Sequence, residues 1–331
     1  MELDLHVTNK CNLHCNHCVY MSGEILMPDI TLSNIKKNCS DLKKMGISEI
    51  HLTGGEPLLN QQIFDIIKYL CGAGFQVKIQ TNGYLININT AKKLKKLGVD
   101  HILISIDGLS SSHNVFRNNK NAFNRAINAV KICLGVGINT RVNTVLHKNN
   151  LQEINQLLMI TANIGVHQHS FFYLTPIGRG RYLSNDLLSL EEWRNIKDKI
   201  IACAKRLNFT SKVKIQDVFQ EQPMQKHHCR IYHKDKCLIM ANGNVYPCVF
   251  FVNSDYKLGN IHSRGLLEIW NDNKVWEQYY VSHRKKCENL QCTSSCRGLA
   301  YLLTGDIGSC DPRCKPEEKL IPSCIRRYIK V

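Results

Sequence analysis

The chain has 331 residues, of which 44% are hydrophobic and 21% charged, so its composition is globular and excludes disordered and fibrous classes. No apolar run approaches the roughly 18 residues of a transmembrane helix, and the first residues lack the pattern of a signal peptide. The formal charge of +16 lies largely on amphipathic helices without interleaved aromatic residues, so no nucleic-acid partner is expected. We therefore expect a cytoplasmic protein without membrane contact.

Six short β-branched runs alternate with helical patterns in the first half of the chain. The predicted strands are 2–7, 48–53, 75–80, 101–106, 138–145 and 167–174. Thr31 is a candidate N-cap, and apolar residues recur at three- and four-residue steps in 122–134 and 151–164. This alternation predicts a parallel sheet, and six βα units are too few for a closed eight-stranded barrel. The predicted fold class is α/β, with an open or partial (β/α)6 barrel.

The pattern changes after the sixth strand. Residues 175–186 are rich in Gly, Pro and polar residues, and Ser189 with Glu192 forms a capping-box signature for a helix that ends near residue 207. From Cys229 onward cysteines are dense and apolar runs are short, so bound metal is expected to stabilise the fold there. We predict three parts: a barrel at 1–180, a linker with a bridging helix at 181–228, and a small cysteine-rich domain at 229–331.

The 16 cysteines are unevenly distributed. In a reducing compartment thiols stay free and clustered ones tend to bind metal. Three crowd the N-terminus and nine lie beyond residue 228, whereas four are scattered in helix-like apolar settings and are predicted to be core residues: Cys39, Cys71, Cys133 and Cys203.

The N-terminal group has the spacing Cys11-x3-Cys15-x2-Cys18, directly after the first strand. Three thiolates on one loop can hold three irons of a 4Fe–4S cube and leave the fourth iron open to a ligand. A zinc site completed by His14 or His17 is the alternative, and the position after strand one of a βα array favours iron–sulfur.

A second motif, Thr53-Gly54-Gly55-Glu56-Pro57, ends the second predicted strand. Glycines there let the backbone approach a ligand closely, and exposed main-chain groups can bind an amino group. A simple strand-to-helix turn is the alternative for this motif taken alone.

Together these motifs resemble the radical S-adenosylmethionine superfamily, whose signature is C-x3-C-x2-C followed by a Gly-Gly-Glu-Pro motif that binds the amino group of S-adenosylmethionine. The resemblance covers residues 2 to about 180 as a partial barrel. It implies that the open iron chelates S-adenosylmethionine and that an electron cleaves the sulfonium to methionine and a 5′-deoxyadenosyl radical. The cofactor-binding residues that it implies are Gly54, Gly55, Glu56, Pro57, Asn82, Ser105, Asp107, Arg141 and Asn143.

The C-terminal cysteines resemble a SPASM domain, which binds auxiliary 4Fe–4S clusters. The stretch Cys237-x5-Gly243-x4-Cys248 is similar to its start, but the usual C-x2-C-x5-C-x3-C is replaced by Cys287-x4-Cys292-x3-Cys296, with Ala300 where a cysteine is expected. The resemblance implies three clusters in all. The expected partition is Cys229, Cys237, Cys248 and Cys310 for one auxiliary cluster and Cys287, Cys292, Cys296 and Cys314 for the other. Cys324 is then spare or exchangeable with Cys310; zinc and disulfides are the alternatives.

Two further motifs have open interpretations. His113 and Arg117 are similar to an H-x3-R that commonly follows strand four in the family, and they lie either at the substrate cavity or on a surface loop. Gly178-Arg179-Gly180 recurs near the last strand in the superfamily, where its role is either specific or that of a tight turn.

SPASM-bearing relatives mostly modify peptides or proteins, so we expect a ribosomal-peptide maturase. Val249 stands where the sulfatase-oxidising branch has an aspartate base, which argues against that branch. We expect no separate leader-binding domain within this sequence, so a peptide or protein substrate is expected to be held by the barrel and SPASM surface or by a separate leader-binding partner. Flavodoxin or ferredoxin is the expected electron donor. The alternatives are an enzyme that modifies tetrapyrrole side chains and a non-catalytic iron–sulfur or zinc scaffold.

Overall fold

The computed structural model describes residues 1–216, 230–252, 254–280 and 296–309. These form one sheet of 10 strands with helices against it. The strands are β1 (Glu2–His6), β2 (Glu49–Thr53), β3 (Gln76–Thr81), β4 (His101–Ser105), β5 (Asn139–Leu146), β6 (Gln168–Tyr173), β7 (Val213–Ile215), β8 (Lys236–Ile239), β9 (Asn244–Tyr246) and β10 (Gly259–Asn260). The helices are α1 (Leu32–Lys44), α2 (Ile63–Gly72), α3 (Ile88–Lys96), α4 (Ser110–Phe116), α5 (Ala122–Gly135), α6 (Ile154–Ile164), α7 (Leu190–Arg206), α8 (Arg230–His233), α9 (Leu266–Asn271), α10 (Asn273–Tyr280) and α11 (Arg297–Thr304).

The six predicted strands are confirmed as β1 to β6, which lie in chain order and are all parallel. The short strand β7, which was not predicted, extends the sheet beyond β6. At the other edge β8 pairs in parallel with β1, and β9 and β10 continue antiparallel. The partial α/β barrel is therefore continued on both sides.

Side-chain capping places the starts of two helices where the sequence predicts them. The Thr31 hydroxyl accepts a hydrogen bond from the backbone N of Asn34 at 3.2 Å, before α1. Ser189 and Glu192 form the reciprocal capping box of α7, with backbone-to-side-chain distances of 3.1 and 2.7 Å. Among the described helices we find none with both the length and the apolar character needed to cross a bilayer.

The two faces of the barrel strands differ in polarity. Buried aliphatic residues of β1 to β6 pack against the helices in one continuous apolar layer. Cys39, Cys133 and Cys203 lie buried in this layer and Cys71 packs partly buried against it, so the predicted core role of these four is confirmed.

The concave face is polar. Asp4, His51, Lys78 and His101 are register partners on successive strands β1 to β4. Asp4 also forms ion pairs with Lys236 of β8 at 2.8 Å and with the His51 ring at 3.6 Å. A lumen lined by such charged groups is suited to polar ligands, because an apolar ligand would replace the water around them without offering hydrogen bonds.

The hairpin of β8 and β9 joins the cysteine-rich part to the barrel. It turns at Asn242 and Gly243, whose φ of +81° is the left-handed conformation that glycine adopts without strain. Since β8 pairs with β1, the sheet continues past residue 229. The division at 180 and 228 remains a prediction.

Candidate functional site

A cavity of about 320 Å³ lies at the carboxyl ends of the barrel strands. Parallel strands place the loops that follow them at this one edge, where α/β proteins commonly bind ligands. The three N-terminal cysteines and the two motif glycines line it together. Its walls are Asp4, Cys11, Leu13, Cys15, His17, Cys18, Val19, Tyr20, Thr53, Gly54, Gly55, Gln80, Thr81, Asn82, Ser105, Asp107, Arg117, Asn143, Val145, Phe172 and Arg179.

The cysteine loop brings hydrogen-bond donors to its own sulfur atoms. The backbone N of Leu13 lies 3.5 Å from Cys11 Sγ, and the backbone N of Ser22 lies 3.4 Å from Cys18 Sγ. Such N–H groups stabilise the negative charge of thiolate ligands. The loop is thus arranged for metal-bound sulfur.

Gly54 and Gly55 allow the second motif to approach this loop. A Cβ on Gly54, whose φ is +158°, would lie 2.5 Å from the backbone O of Thr8. A Cβ on Gly55 would lie 2.3 Å from the backbone O of Lys10 and 2.9 Å from the Cys11 Cβ. Any larger residue would push the cysteine loop away, so close approach to that loop is what these glycines provide.

Glu56 is placed differently from the expectation of direct ligand contact. Its buried carboxylate accepts hydrogen bonds from the Thr81 hydroxyl at 2.8 Å and from the backbone N of Asn82 at 2.9 Å. Burial raises its pKa to about 7, against these hydrogen bonds, which lower it. Neither this residue nor Pro57 is among the residues that line the cavity. Glu56 therefore links the end of β2 to the end of β3 outside the lining of the cavity.

The other residues that the resemblance implies as cofactor ligands differ in whether they line the cavity. Asn82, Ser105 and Asn143 line the cavity, and the Asn82 amide lies 4.0 Å from Cys11 Sγ. Arg141 precedes Asn143 by two residues on β5 and does not line the cavity; its Nε donates to Asn139 at 3.4 Å. The cofactor roles of all these residues remain predictions.

Asp107 lines the cavity, but its carboxylate is already engaged. Oδ2 accepts from Nε and Nη2 of Arg117, both at 2.7 Å, and Oδ1 accepts from the backbone N of Val145 at 2.9 Å. Burial alone would raise the pKa of Asp107, but the Arg117 guanidinium holds it well below its usual range. His113 accepts from the backbone N of Asp107 at 2.8 Å. The H-x3-R pair thus lies at the buried site and not on a surface loop.

The two histidines of the zinc alternative have other partners. The His17 ring stacks on Phe116 at 3.9 Å between centroids, and burial lowers its pKa to about 3. His14 contacts Glu24 at 2.6 Å and is half exposed. His17 is thus fixed as an aromatic wall of the cavity.

The segment Gly178-Arg179-Gly180, which follows β6, is hydrogen-bonded to the cysteine loop. Arg179 Nε donates to the backbone O of Cys15 at 2.7 Å, its backbone N donates to the O of Cys18 at 3.0 Å, and Nη1 pairs with Glu24 at 2.8 Å. A Cβ on Gly178 would lie 2.3 Å from the O of Cys18. The motif is therefore more than a tight turn.

Three of the nine C-terminal cysteines lie in the described residues. Cys237 of β8 is fully buried, on the apolar side with its register partner Leu3. Cys248 precedes a short 3₁₀ turn and lies near Tyr20, whose pKa is raised by burial and, to a lesser degree, by this thiol. Cys296 precedes α11. The other predicted ligands lie outside the described residues: Cys229, Cys287, Cys292, Cys310, Cys314 and Cys324.

The residues present fit a 4Fe–4S cluster with S-adenosylmethionine beside it. Three thiols share one wall, glycine backbone forms the next, and buried polar atoms without a hydrogen-bond partner adjoin both: Asn12 Nδ2, His17 Nδ1 and Thr53 Oγ1. Cys11, Cys15 and Cys18 would hold the cluster, and Gly54, Gly55 and the polar strand ends would hold the cofactor. When bound, this pair supplies one-electron cleavage of the sulfonium, and the chain's own groups orient it and exclude water.

Two family models match the chain. The model of the radical SAM superfamily matches residues 5–159, and that of the SPASM iron–sulfur cluster-binding domain matches residues 229–297. The chain belongs to the radical SAM superfamily. It is a radical SAM enzyme with a SPASM domain, and its cofactors are 4Fe–4S clusters and S-adenosylmethionine.

Proteins similar to this radical SAM chain differ in their named activities. An AdoMet-dependent heme synthase of Methanosarcina barkeri is 26% identical, over 93% of this chain and 94% of the relative. The mycofactocin maturase MftC of Mycolicibacterium smegmatis is 25% identical, over 94% of this chain and 82% of the relative. The structure of SuiB from Streptococcus suis bound to S-adenosylmethionine superposes with a TM-score of 0.75 at 18% identity, over 88% of this chain and 70% of that chain, which shows a shared fold.

Sequence reasoning missed several residues of the radical SAM site. Tyr20, Gln80, Val145 and Phe172 line the cavity without belonging to any quoted motif. Position could have identified some of them, because Gln80, Val145 and Phe172 lie near the ends of predicted strands. The contacts of Arg179 with a loop over 150 residues earlier carry no local sequence signal.

Proposed function

We propose that this radical SAM/SPASM enzyme modifies a side chain or the backbone of a peptide or protein, as in ribosomal-peptide maturation. The polar lumen carries this proposal. Its walls offer charges and hydrogen-bonding groups from Asp4, Gln80 and Asn143, which suit an inserted peptide segment with its own amides.

Apolar side chains also line the cavity: Leu13, Val19, Val145 and Phe172, beside Tyr20. Phe172 is 37% exposed at the opening, where it can contact an entering peptide side chain.

The relatives support both substrate classes, so tetrapyrrole modification is the second candidate. A Fe-coproporphyrin III synthase of Methanosarcina barkeri is 27% identical over 93% of this chain. On the peptide side are the mycofactocin maturase and the subtilosin biosynthesis protein AlbA of Bacillus subtilis, 25% identical over 89% of this chain. SuiB has also been solved with its precursor peptide SuiA.

Partners follow from the proposed chemistry. Each turnover needs one electron, for which flavodoxin or ferredoxin is the proposed donor. A separate leader-binding protein would present the precursor peptide if the barrel and the SPASM surface do not hold it alone.

We propose two auxiliary clusters, whose ligands differ in one cysteine from the partition expected from the sequence. Cys237 shares a face of β8 with the apolar layer, whereas its neighbour Lys236 pairs with Asp4 on the lumen side. Cys248 is only partly buried and lies near the lumen-lining Tyr20, whereas Cys237 is fully buried within the apolar layer. We propose that Cys237 is a core residue and that the eight ligands are Cys229, Cys248, Cys287, Cys292, Cys296, Cys310, Cys314 and Cys324.

The test compares both substrate classes on one preparation. The reconstituted enzyme is incubated with S-adenosylmethionine, dithionite and either peptides encoded beside its gene or Fe-coproporphyrin III. A peptide should accelerate 5′-deoxyadenosine formation and change mass by a few hydrogens. Conversion of the porphyrin with every peptide inert would establish the second candidate instead. The variant with Ala at Cys11, Cys15 and Cys18 is the control for cofactor cleavage.

A further inference from the structure

The three sulfur atoms of the N-terminal cysteine loop have unlike donors. Cys11 and Cys18 face backbone N–H groups at 3.5 and 3.4 Å. Cys15 faces Nη1 of Arg117 at 3.9 Å. Within the described part of the chain, Cys15 is the one of the three whose sulfur meets a charged donor.

Arg117 has little freedom to point elsewhere. Its Nε and Nη2 both donate to Asp107 Oδ2 at 2.7 Å, and the side chains of both residues are at least nine-tenths buried. Asp107 is itself held by the backbone N of Val145 at 2.9 Å. The planar fork that binds the carboxylate therefore directs the remaining nitrogen, Nη1, toward Cys15.

The order of charges along this line is sulfur, guanidinium, carboxylate. The cation is therefore closer to the sulfur than its counter-ion is, and the pair acts as a dipole with its positive end toward Cys15. The other nearby cation, Arg179, is paired with Glu24 and contacts Cys15 through the carbonyl oxygen. Arg117 is thus the positive group directed at the thiol itself.

Reduction of a cluster at this loop adds one negative charge. A buried cation that donates to a thiolate ligand stabilises the reduced form more than the oxidised form, and hydrogen bonds to sulfur are one of the levers that set such potentials. We propose that Arg117, oriented by Asp107, is a positioning residue that raises the reduction potential of the cluster through the Cys15 thiolate. The carboxylate of Asp107 accepts hydrogen bonds from Arg117 and so holds the guanidinium in this orientation.

The experiment measures the midpoint potential of the reconstituted holoenzyme. The relevant cluster is identified as the part of the reduced electron paramagnetic resonance spectrum that changes when S-adenosylmethionine is added. Arg117→Gln should lower the reduced-to-oxidised ratio at fixed solution potential at least tenfold, which corresponds to about 59 mV for one electron. Asp107→Asn should raise that ratio, because the amide oxygen still accepts from the guanidinium and keeps its orientation, whereas the negative charge of the counter-ion is removed. Arg117→Lys should recover part of the loss.

Surface variants provide matched controls for the same charge changes. Arg125 and Asp65 are exposed on α5 and α2, so Arg125→Gln and Asp65→Asn should leave the potential unchanged. The proposal is overturned if both site variants, with four irons still at this loop, have the potentials of their surface controls. If Arg117→Gln fails to fold, Asp107→Asn decides alone, and a potential that does not rise overturns the proposal. These readouts need no substrate, so they are independent of the proposed peptide modification.

Discussion

The barrel and the cysteine-rich part position their cysteines in opposite ways. In the barrel, three cysteines lie within eight residues of one loop, each sulfur faces a donor, and Arg179 holds the loop. In the described residues beyond 229, the three cysteines lie on separate elements: on β8, before a 3₁₀ turn and before α11.

Packing of aromatic rings holds those separate elements together. Phe251, Tyr256, Tyr279 and Tyr301 have ring centroids 4.9 to 6.0 Å apart. A Cβ on Gly298 of α11 would lie 2.4 Å from Phe250, so α11 approaches the turn after Cys248 closely. Hydrogen bonds of the protein thus preorganise the barrel site, whereas the positions of Cys248 and Cys296 depend on tertiary packing.

The first prediction concerns the cysteine loop of the barrel, where substitution should cause complete loss of activity. Replacement of Cys11, Cys15 and Cys18 by Ala should abolish cleavage of S-adenosylmethionine, because three cysteines leave one iron of a cube open, whereas the proposed auxiliary cubes have four ligands each. The proposed auxiliary clusters should remain, at about eight of twelve irons, since each cube holds four. Iron, sulfide and 5′-deoxyadenosine analysis of anaerobic protein measures both quantities. Residual cleavage at the wild-type rate would place the reactive cluster elsewhere.

The second prediction sharpens the contrast within the cysteine-rich part. Cys248→Ala should lower the iron content by about four per chain, because one auxiliary cube loses a ligand. Cys237→Ala should keep the full iron content, because its side chain lies in the apolar layer. Parallel loss of iron from both variants would restore Cys237 to the ligand set.

The third prediction concerns Arg179, whose hydrogen bonds fix the position of the cysteine loop. Arg179→Met should lower the free energy of unfolding by about 3 kcal/mol, because a buried carbonyl and a carboxylate each lose a charged donor. Arg181→Gln, two residues on, should cost less than about 1 kcal/mol, because that guanidinium bonds at the surface to Tyr182. Urea unfolding of cluster-free protein compares the two; equal losses would show that Arg179 does not hold the loop specifically.

The last prediction concerns a purely structural barrel histidine, whose effect is absent near neutral pH and appears only as the pH falls. Buried His169 contacts the hydroxyls of Thr144 at 2.8 Å and Thr161 at 2.9 Å, and burial lowers its pKa from 6.5 to about 3. The unfolded chain therefore binds a proton first, and stability present above pH 6.5 is lost as the pH falls. His169→Gln should reduce that loss by about 1.4 kcal/mol per pH unit below 6.5. Unfolding free energies measured at several pH values test this; an unchanged slope would contradict it.

Motifs with local spacing were read correctly from the sequence. Strand and helix patterns predicted β1 to β6, and the capping box before α7 lies where Ser189 and Glu192 indicated. Gly54 and Gly55 predicted close backbone approach to a ligand; the structure shows close approach to the cysteine loop, and ligand contact stays a prediction. Such features need only a few consecutive residues, and local conformational preferences determine them.

Short sequence patterns are enough to predict the family, the cofactor class and the order of the barrel elements, because such patterns do not change with distant context. The hydrogen bond from Asn82 to Glu56, the approach of Arg117 to Cys15 and the burial of Cys237 in the apolar layer are visible only in the folded chain. These outcomes depend on which face of a strand or loop meets a partner many residues away. That choice is made by burial and hydrogen-bond pairing across the whole fold.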